Sequence, residues 1–81
     1  RRSAKLSYKD QRDYDLMPNR ISEIEIAVAK AEAELSNPSL YTSSPDRFAA
    51  LTKEIEAGQV EKDAAEERWL ELAMMLEELD T

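Results

Sequence analysis

Between Met17 and Leu35 the apolar positions Met17, Ile21, Ile24, Val28, Ala31 and Leu35 recur at spacings of 4, 3, 4, 3 and 4. That is the heptad seam by which one α-helix packs along another. Glu23, Glu25, Lys30, Glu32 and Glu34 fall off the seam and face water. Pro18 suits a first helical turn, where its missing N–H has no intrahelical partner. Pro38 pushes Asn37 out of the α region, so Ser36-Asn37-Pro38 closes the helix. The pattern predicts a helix over about 18–36.

A second stripe opens at Ser44-Pro45-Asp46, a capping hydroxyl, a proline at the first helical position and an acid near the positive end of the macrodipole. It runs through Phe48, Leu51, Ile55, Gly58, Lys62, Ala65, Trp69, Leu72, Leu76 and Leu79, and eight of the ten are apolar. The helix is therefore expected over about 45–80. Gly58 costs about 1 kcal/mol against Ala inside a helix. Lys62, on the seam, has to keep its stem over apolar neighbours and its ammonium in water. The middle of this helix reads as its weak point.

Two stripes joined by a tip at 37–44 close as an antiparallel pair. Centring the hairpin on Tyr41 sets Leu35 near Phe48, Val28 near Ile55 and Ile21 near Lys62. The first stripe is then exhausted near Ala65 or Trp69, leaving Leu72, Leu76 and Leu79 to be covered. A short helix over about 8–15, capped by Ser7 and broken or kinked near Pro18, can fold over that end. The expected fold is all-α: an antiparallel two-helix coiled-coil hairpin with a short N-terminal helix on its open end, and Trp69 in its core.

Composition narrows the chemistry. The 81 residues suffice for one small domain, and one Gly with three Pro leaves few turns for a sheet. With no Cys and no His, zinc sites, disulfides, thiol nucleophiles and histidine bases are excluded. The lack of Cys fits a reducing compartment, and a cytoplasmic location is expected. No apolar run is long enough to span a membrane. The chain opens on Arg1 rather than Met, as a piece of a longer protein would. A lone glycine allows neither a P-loop nor a dinucleotide-binding loop. Paired carboxylates such as Glu66-Glu67 or Glu77-Glu78 lie on a solvated helix face, without the desolvated cleft that would separate their pKa values. No catalytic residue, metal ligand or cofactor site is assigned, and the chain is not expected to be an enzyme by itself.

The net charge of −7 is unevenly spread. Residues 1–20 hold six basic side chains, Arg1, Arg2, Lys5, Lys9, Arg12 and Arg20, against Asp10, Asp13 and Asp15, a net +3. Residues 21–81 hold five basic and fifteen acidic side chains, a net −10. Such a split marks either an electropositive end that meets a polyanion or a solvated linker on an acidic helical surface. Tyr8, Tyr14 and Tyr41 either anchor helix ends or stack on bases.

Several runs resemble one family. Lys5-Leu6-Ser7-Tyr8-Lys9-Asp10-Gln11-Arg12 is similar to the KLSYKEQRE signature that opens the C-terminal domain of Uup-type ABC-F ATPases. Leu16-Met17-Pro18-Asn19-Arg20-Ile21 resembles its Leu-Pro-x-x-Ile element, with one inserted residue or a shifted Leu. Leu35 to Tyr41 resembles its LxDPxLY tip, Pro45-Asp46-Arg47-Phe48 its PxRF helix start, and Glu66 to Leu72 its EERWLEL ending. Five motifs in order cover the chain from Lys5 to Leu72. Lys62 departs from the family, which usually has an apolar residue there.

The resemblance implies a non-catalytic coiled-coil domain, with 1–6 as a basic linker after an ATP-binding cassette and 7–81 as the domain itself. ATP and Mg would belong to the two cassettes of the parent protein, an ATPase. The implied partners are DNA or ribosomal RNA, held weakly and without sequence preference, and the cassettes of the same chain. Lys and Arg that displace condensed counterions are what either polyanion requires. The expected nucleic-acid-binding residues are Arg1, Arg2, Lys5, Lys9, Arg12 and Arg20. The alternative is a structural or protein-docking arm, on ribosomal protein for instance, without nucleic-acid affinity. Basic residues clustered on one face favour the first, and basic residues interleaved with Asp10, Asp13 and Asp15 favour the second.

Overall fold

The computed structural model describes residues 5–80, the side chain of Asp80 excepted. Three helices follow one another: α1 (Tyr8–Leu35), α2 (Leu40–Ser43) and α3 (Pro45–Asp80). The long helices α1 and α3 pack along each other, and α2 sits on α3 at the turn between them. The molecule is a rod of 65 × 17 × 14 Å, two helices thick.

The N-terminus of α1 is where its cap places it. The Ser7 hydroxyl accepts from the Asp10 backbone N–H at 3.2 Å, satisfying one of the donors orphaned by the first turn. At the other end the chain turns on Asn37, whose side-chain carbonyl accepts from the Ser39 backbone N–H at 3.1 Å and from its hydroxyl at 3.0 Å. Such a side-chain turn is what Asn supplies before a proline. The expected tip at 37–44 thus contains a helical turn, with Leu40 buried against Ala31 and Leu51.

The helix expected to end near residue 15 does not end. Pro18 lies inside a continuous α1 of 28 residues. An interior proline removes one backbone hydrogen bond and crowds the preceding turn, a cost of about 3 kcal/mol. The compensation is tertiary. Tyr14 stacks on Trp69 with ring centroids 5.7 Å apart and planes 6° from parallel, and Arg68 reaches across to Asp10 and Asp13. Residues 8–15 meet α3 at Arg68 and Trp69, as the first turns of α1 rather than as a separate element.

The core lies in two clusters joined at Ile55. Ala31, Leu40 and Leu51 form one, with Leu35 and Phe48 both packed against it. Ile24, Val28 and Ala65 form the other, with Met17, Ile21 and Ile55 around them. Leu6 and Leu72 are buried towards the open end, whereas Leu76 and Leu79 are only partly covered. Trp69, expected in the core, is half-buried, and its Nε1 is enclosed without an acceptor among the described residues.

Lys62 behaves as its seam position requires. Its Nζ lies 3.4 Å from Glu25 Oε2, and the lysine side chain is the more covered of the two. Lys62→Leu should raise the melting temperature, by an amount equivalent to about 1 kcal/mol, because the stem is already over the apolar seam. Glu25, half in water, loses little. Thermal denaturation followed by circular dichroism checks this, and a lower melting temperature would show that the Glu25 pair contributes more than the buried stem.

Candidate nucleic-acid interface

The predicted basic residues fall into three situations. Arg1 and Arg2 lie outside the described residues. Arg20 is drawn onto Glu61 of α3, so its charge is matched. Lys5, Lys9 and Arg12 remain exposed at the N-terminal end of α1.

Helical geometry sorts the charges of this end. Asp10 and Asp13 point towards α3, where Arg68 holds them: Arg68 Nη2 is 2.8 Å from Asp10 Oδ1 and 3.4 Å from Asp13 Oδ2. The Arg68 Nη1 is also 3.5 Å from Glu71 Oε1. The hydrogen bond from Arg68 to Asp10 raises the guanidinium pKa further above its usual value, against the opposing effect of burial. The Lys9 ammonium approaches the same Asp13 Oδ2 at 3.5 Å, yet its side chain is 81% exposed, against 31% for Asp13. Asp15 accepts from Gln11 Nε2 at 3.0 Å along the helix surface. Arg12 and Lys5 make no ion pair among the described residues.

The outer surface of these turns therefore presents Tyr8, Lys9, Arg12, Asp15 and Leu16, with Tyr8 82% exposed. Tyr8, Gln11, Arg12, Asp15 and Leu16 line a shallow depression there. The three tyrosines separate accordingly. Tyr14 is an anchor on Trp69, and Tyr41 packs edge-on to Phe48 at 5.2 Å. Tyr8 stacks on no ring among the described residues and its own ring is exposed.

Sequence reading missed Arg68. It lies one residue off the seam beside Trp69, and the available signal was its isolation: it is the one basic residue between Asp63 and Asp80. A second unread pair, Arg47 and Glu34, clamps the other end through Nε and Nη2 at 2.7 Å each. The hydrogen bond from Arg47 holds the Glu34 carboxyl below its ordinary pKa. Among the described residues no group of three acidic side chains could hold a metal ion, and no helix is long and apolar enough to cross a membrane.

Residues 5–74 match the ABC transporter C-terminal domain model. The chain belongs to that family. It is 32% identical over 71 residues to a Haemophilus influenzae protein described as ATP-binding protein Uup-like, covering 88% of this chain and 16% of that protein. It is 38% identical over 79 residues to the ATP-binding protein Uup of Caulobacter vibrioides, covering 98% of this chain and 13% of the relative. A Bacillus subtilis protein described as an uncharacterized ABC transporter ATP-binding protein, YfmR, is 34% identical over 77 residues, covering 95% and 12% of the two chains. The chain thus spans less than a fifth of the curated relatives it matches. No solved structure matches it. Together the family model and the Uup relatives establish a C-terminal domain of the Uup type.

Proposed function

We propose that this chain is a non-catalytic accessory domain of an ABC ATP-binding protein, and that it contacts nucleic acid, DNA or ribosomal RNA, through the outer face of the first turns of α1. In this reading the ATPase chemistry, with its ATP and Mg, resides in cassettes elsewhere in the parent protein. One observation carries the nucleic-acid reading. Arg68 takes Asp10 and Asp13 off the outer face, so Lys5, Lys9 and Arg12 are left facing solvent beside Tyr8. The separation of charge across the helix is partial, since Asp15 stays on the outer face beside Arg12, where Gln11 Nε2 donates to it.

Binding of this kind is weak and salt-sensitive. With Arg1 and Arg2 added, about four or five phosphates are engaged, and log K against log salt should slope by roughly −4 to −5 on duplex DNA. Dissociation constants should lie in the range of about 10⁻⁴–10⁻⁶ M usual for nonspecific contact. The acidic remainder of the rod opposes closer wrapping within a Debye length of about 8 Å.

Fluorescence anisotropy with labelled duplex DNA and with RNA, at two salt concentrations, tests the proposal. Changing Arg1, Arg2, Lys5, Lys9 and Arg12 to Gln should abolish binding with the helical melt unchanged, because none of them lies on the seam. Arg20→Gln should leave affinity nearly unaltered, since Arg20 is matched by Glu61. An absence of binding at low salt, or equal binding after neutralisation, would replace this reading with a docking arm that has no intrinsic nucleic-acid affinity.

A further inference from the structure

The flank of the rod away from Lys9 and Arg12 has a different character. Pro18 and Ile21 of α1 and Glu66, Trp69 and Leu70 of α3 line an open groove of about 480 Å³. At 3.6 residues per turn, Pro18 and Ile21 are turned about 120° or more around α1 from Lys9 and Arg12. Met74 lies one turn beyond Leu70 on the same stripe of α3. Leu70 is 56% exposed and Met74 58%, high values for large apolar side chains side by side on one helix face.

The α3 side of the groove is predominantly acidic. Asp63, Glu66, Leu70, Met74 and Glu77 follow one another at spacings of 3, 4, 4 and 3, so they form one stripe with an apolar centre and acidic ends. From Asp63 to Asp80 there are seven acidic residues and one basic residue, Arg68. Arg68 is already engaged with Asp10, Asp13 and Glu71. Asp63, Glu66 and Glu77 are exposed and have no ion-pair partner among the described residues.

We propose that the groove lined by Pro18, Ile21, Trp69 and Leu70, with Met74 beyond it on the same stripe of α3, is a docking site for a lysine- or arginine-rich amphipathic helix of another protein. The apolar centre takes the anchors of such a helix, which fall at i, i+3/i+4 and i+7. Met74, unbranched and polarizable, adapts to whichever anchor meets it. The acids at both ends meet the cationic flanks and fix the register. A second copy of this chain fits poorly, because it would bring the same acidic stripe against itself. The site is separate from the nucleic-acid face and does not depend on it.

Trp69 is the sole tryptophan, so its emission reports on the groove directly. The probe is a tryptophan-free synthetic peptide of about 18 residues, about 27 Å as a helix, with leucines on one face and lysines elsewhere. Titration into the intact chain should give a saturable shift of Trp69 emission that weakens as salt is raised. Leu70→Gln with Met74→Gln should weaken the peptide by tenfold or more while the melting curve stays in place, since both side chains are exposed. Asp63→Gln with Glu66→Gln should weaken it too and flatten its salt dependence, without touching the apolar centre. Equal binding of a scrambled peptide, with its leucines spread around the helix, would reduce the contact to bulk charge and overturn the proposal. Equal binding of a leucine–glutamate helix would overturn the charge assignment. An emission shift that appears with protein concentration alone, together with dimers in sedimentation, would assign the groove to a second copy instead.

Discussion

Leu72→Ala should leave the protein largely unfolded at room temperature. Leu72 is 0% exposed, and with Leu51 at 1% it is one of the two large side chains completely enclosed among the described residues. Truncating a buried leucine to alanine costs about 2–5 kcal/mol, the transfer term plus the cavity left behind. A single core of this size rarely supplies more than about 3–5 kcal/mol in total. Leu51→Ala should be comparably severe, because Leu51 sits between Ala31 and Leu40 where the tip folds back. Leu70→Ala is the control: its side chain is mostly in water, and the change should stay within about 0.5 kcal/mol. Urea denaturation of the three variants checks the ordering. Equal midpoints for Leu72→Ala and Leu70→Ala would mean that the open end of the rod is not packed as described.

Much of this fold is legible in the sequence because it rests on periodicity. The 4-3-4-3-4 seam of α1 and the short tip fix which faces meet, and loop length alone brings Leu35 and Phe48 to the same cluster. What misleads is Pro18. The local rule that proline starts or breaks a helix is sound, but it is overridden here by contacts 55 and 58 residues away in sequence, Tyr14 with Trp69 and Asp10 with Arg68. No local pattern encodes such contacts. Arg68 is illegible for the same reason, since its role depends on which side of α1 faces it. Trp69 reads as core because of its position on the seam. A seam position guarantees contact, however, and not enclosure, and in a rod two helices thick one edge of a large ring stays open. The six basic residues are easily found by composition. That Arg20 is matched by Glu61 while Arg12 is not becomes visible only once the helices are side by side.

Gly58→Ala should lower the melting temperature, although helix propensity alone predicts a gain of about 1 kcal/mol. Gly58 has no left-handed backbone that would demand glycine. What it has is a neighbour: a Cβ at this position would lie 2.5 Å from Val28 Cγ2, with Ile24 Cγ2 at 3.9 Å. Val28 is buried between the helices and, being β-branched, has essentially one comfortable χ1 rotamer in a helix. It cannot swing aside cheaply, so α1 and α3 must part and loosen the Ile24–Val28–Ala65 cluster. The residue that looked like the weak point of α3 is therefore a point of close helix approach. Gly58→Leu, with more volume to place, should cost about 1–3 kcal/mol, a loss of roughly 4–8 °C per kcal/mol for a domain of this size. The decisive measurement is the double-mutant cycle with Val28→Ala. Alone, Val28→Ala should destabilise by opening a small void opposite Gly58. In that background the sign of Gly58→Ala should reverse, because the new methyl enters the space Val28 vacated and the propensity gain is no longer cancelled. A Gly58→Ala change that stabilises equally in both backgrounds would show that the helices do not approach closely here, and that the glycine has no packing role.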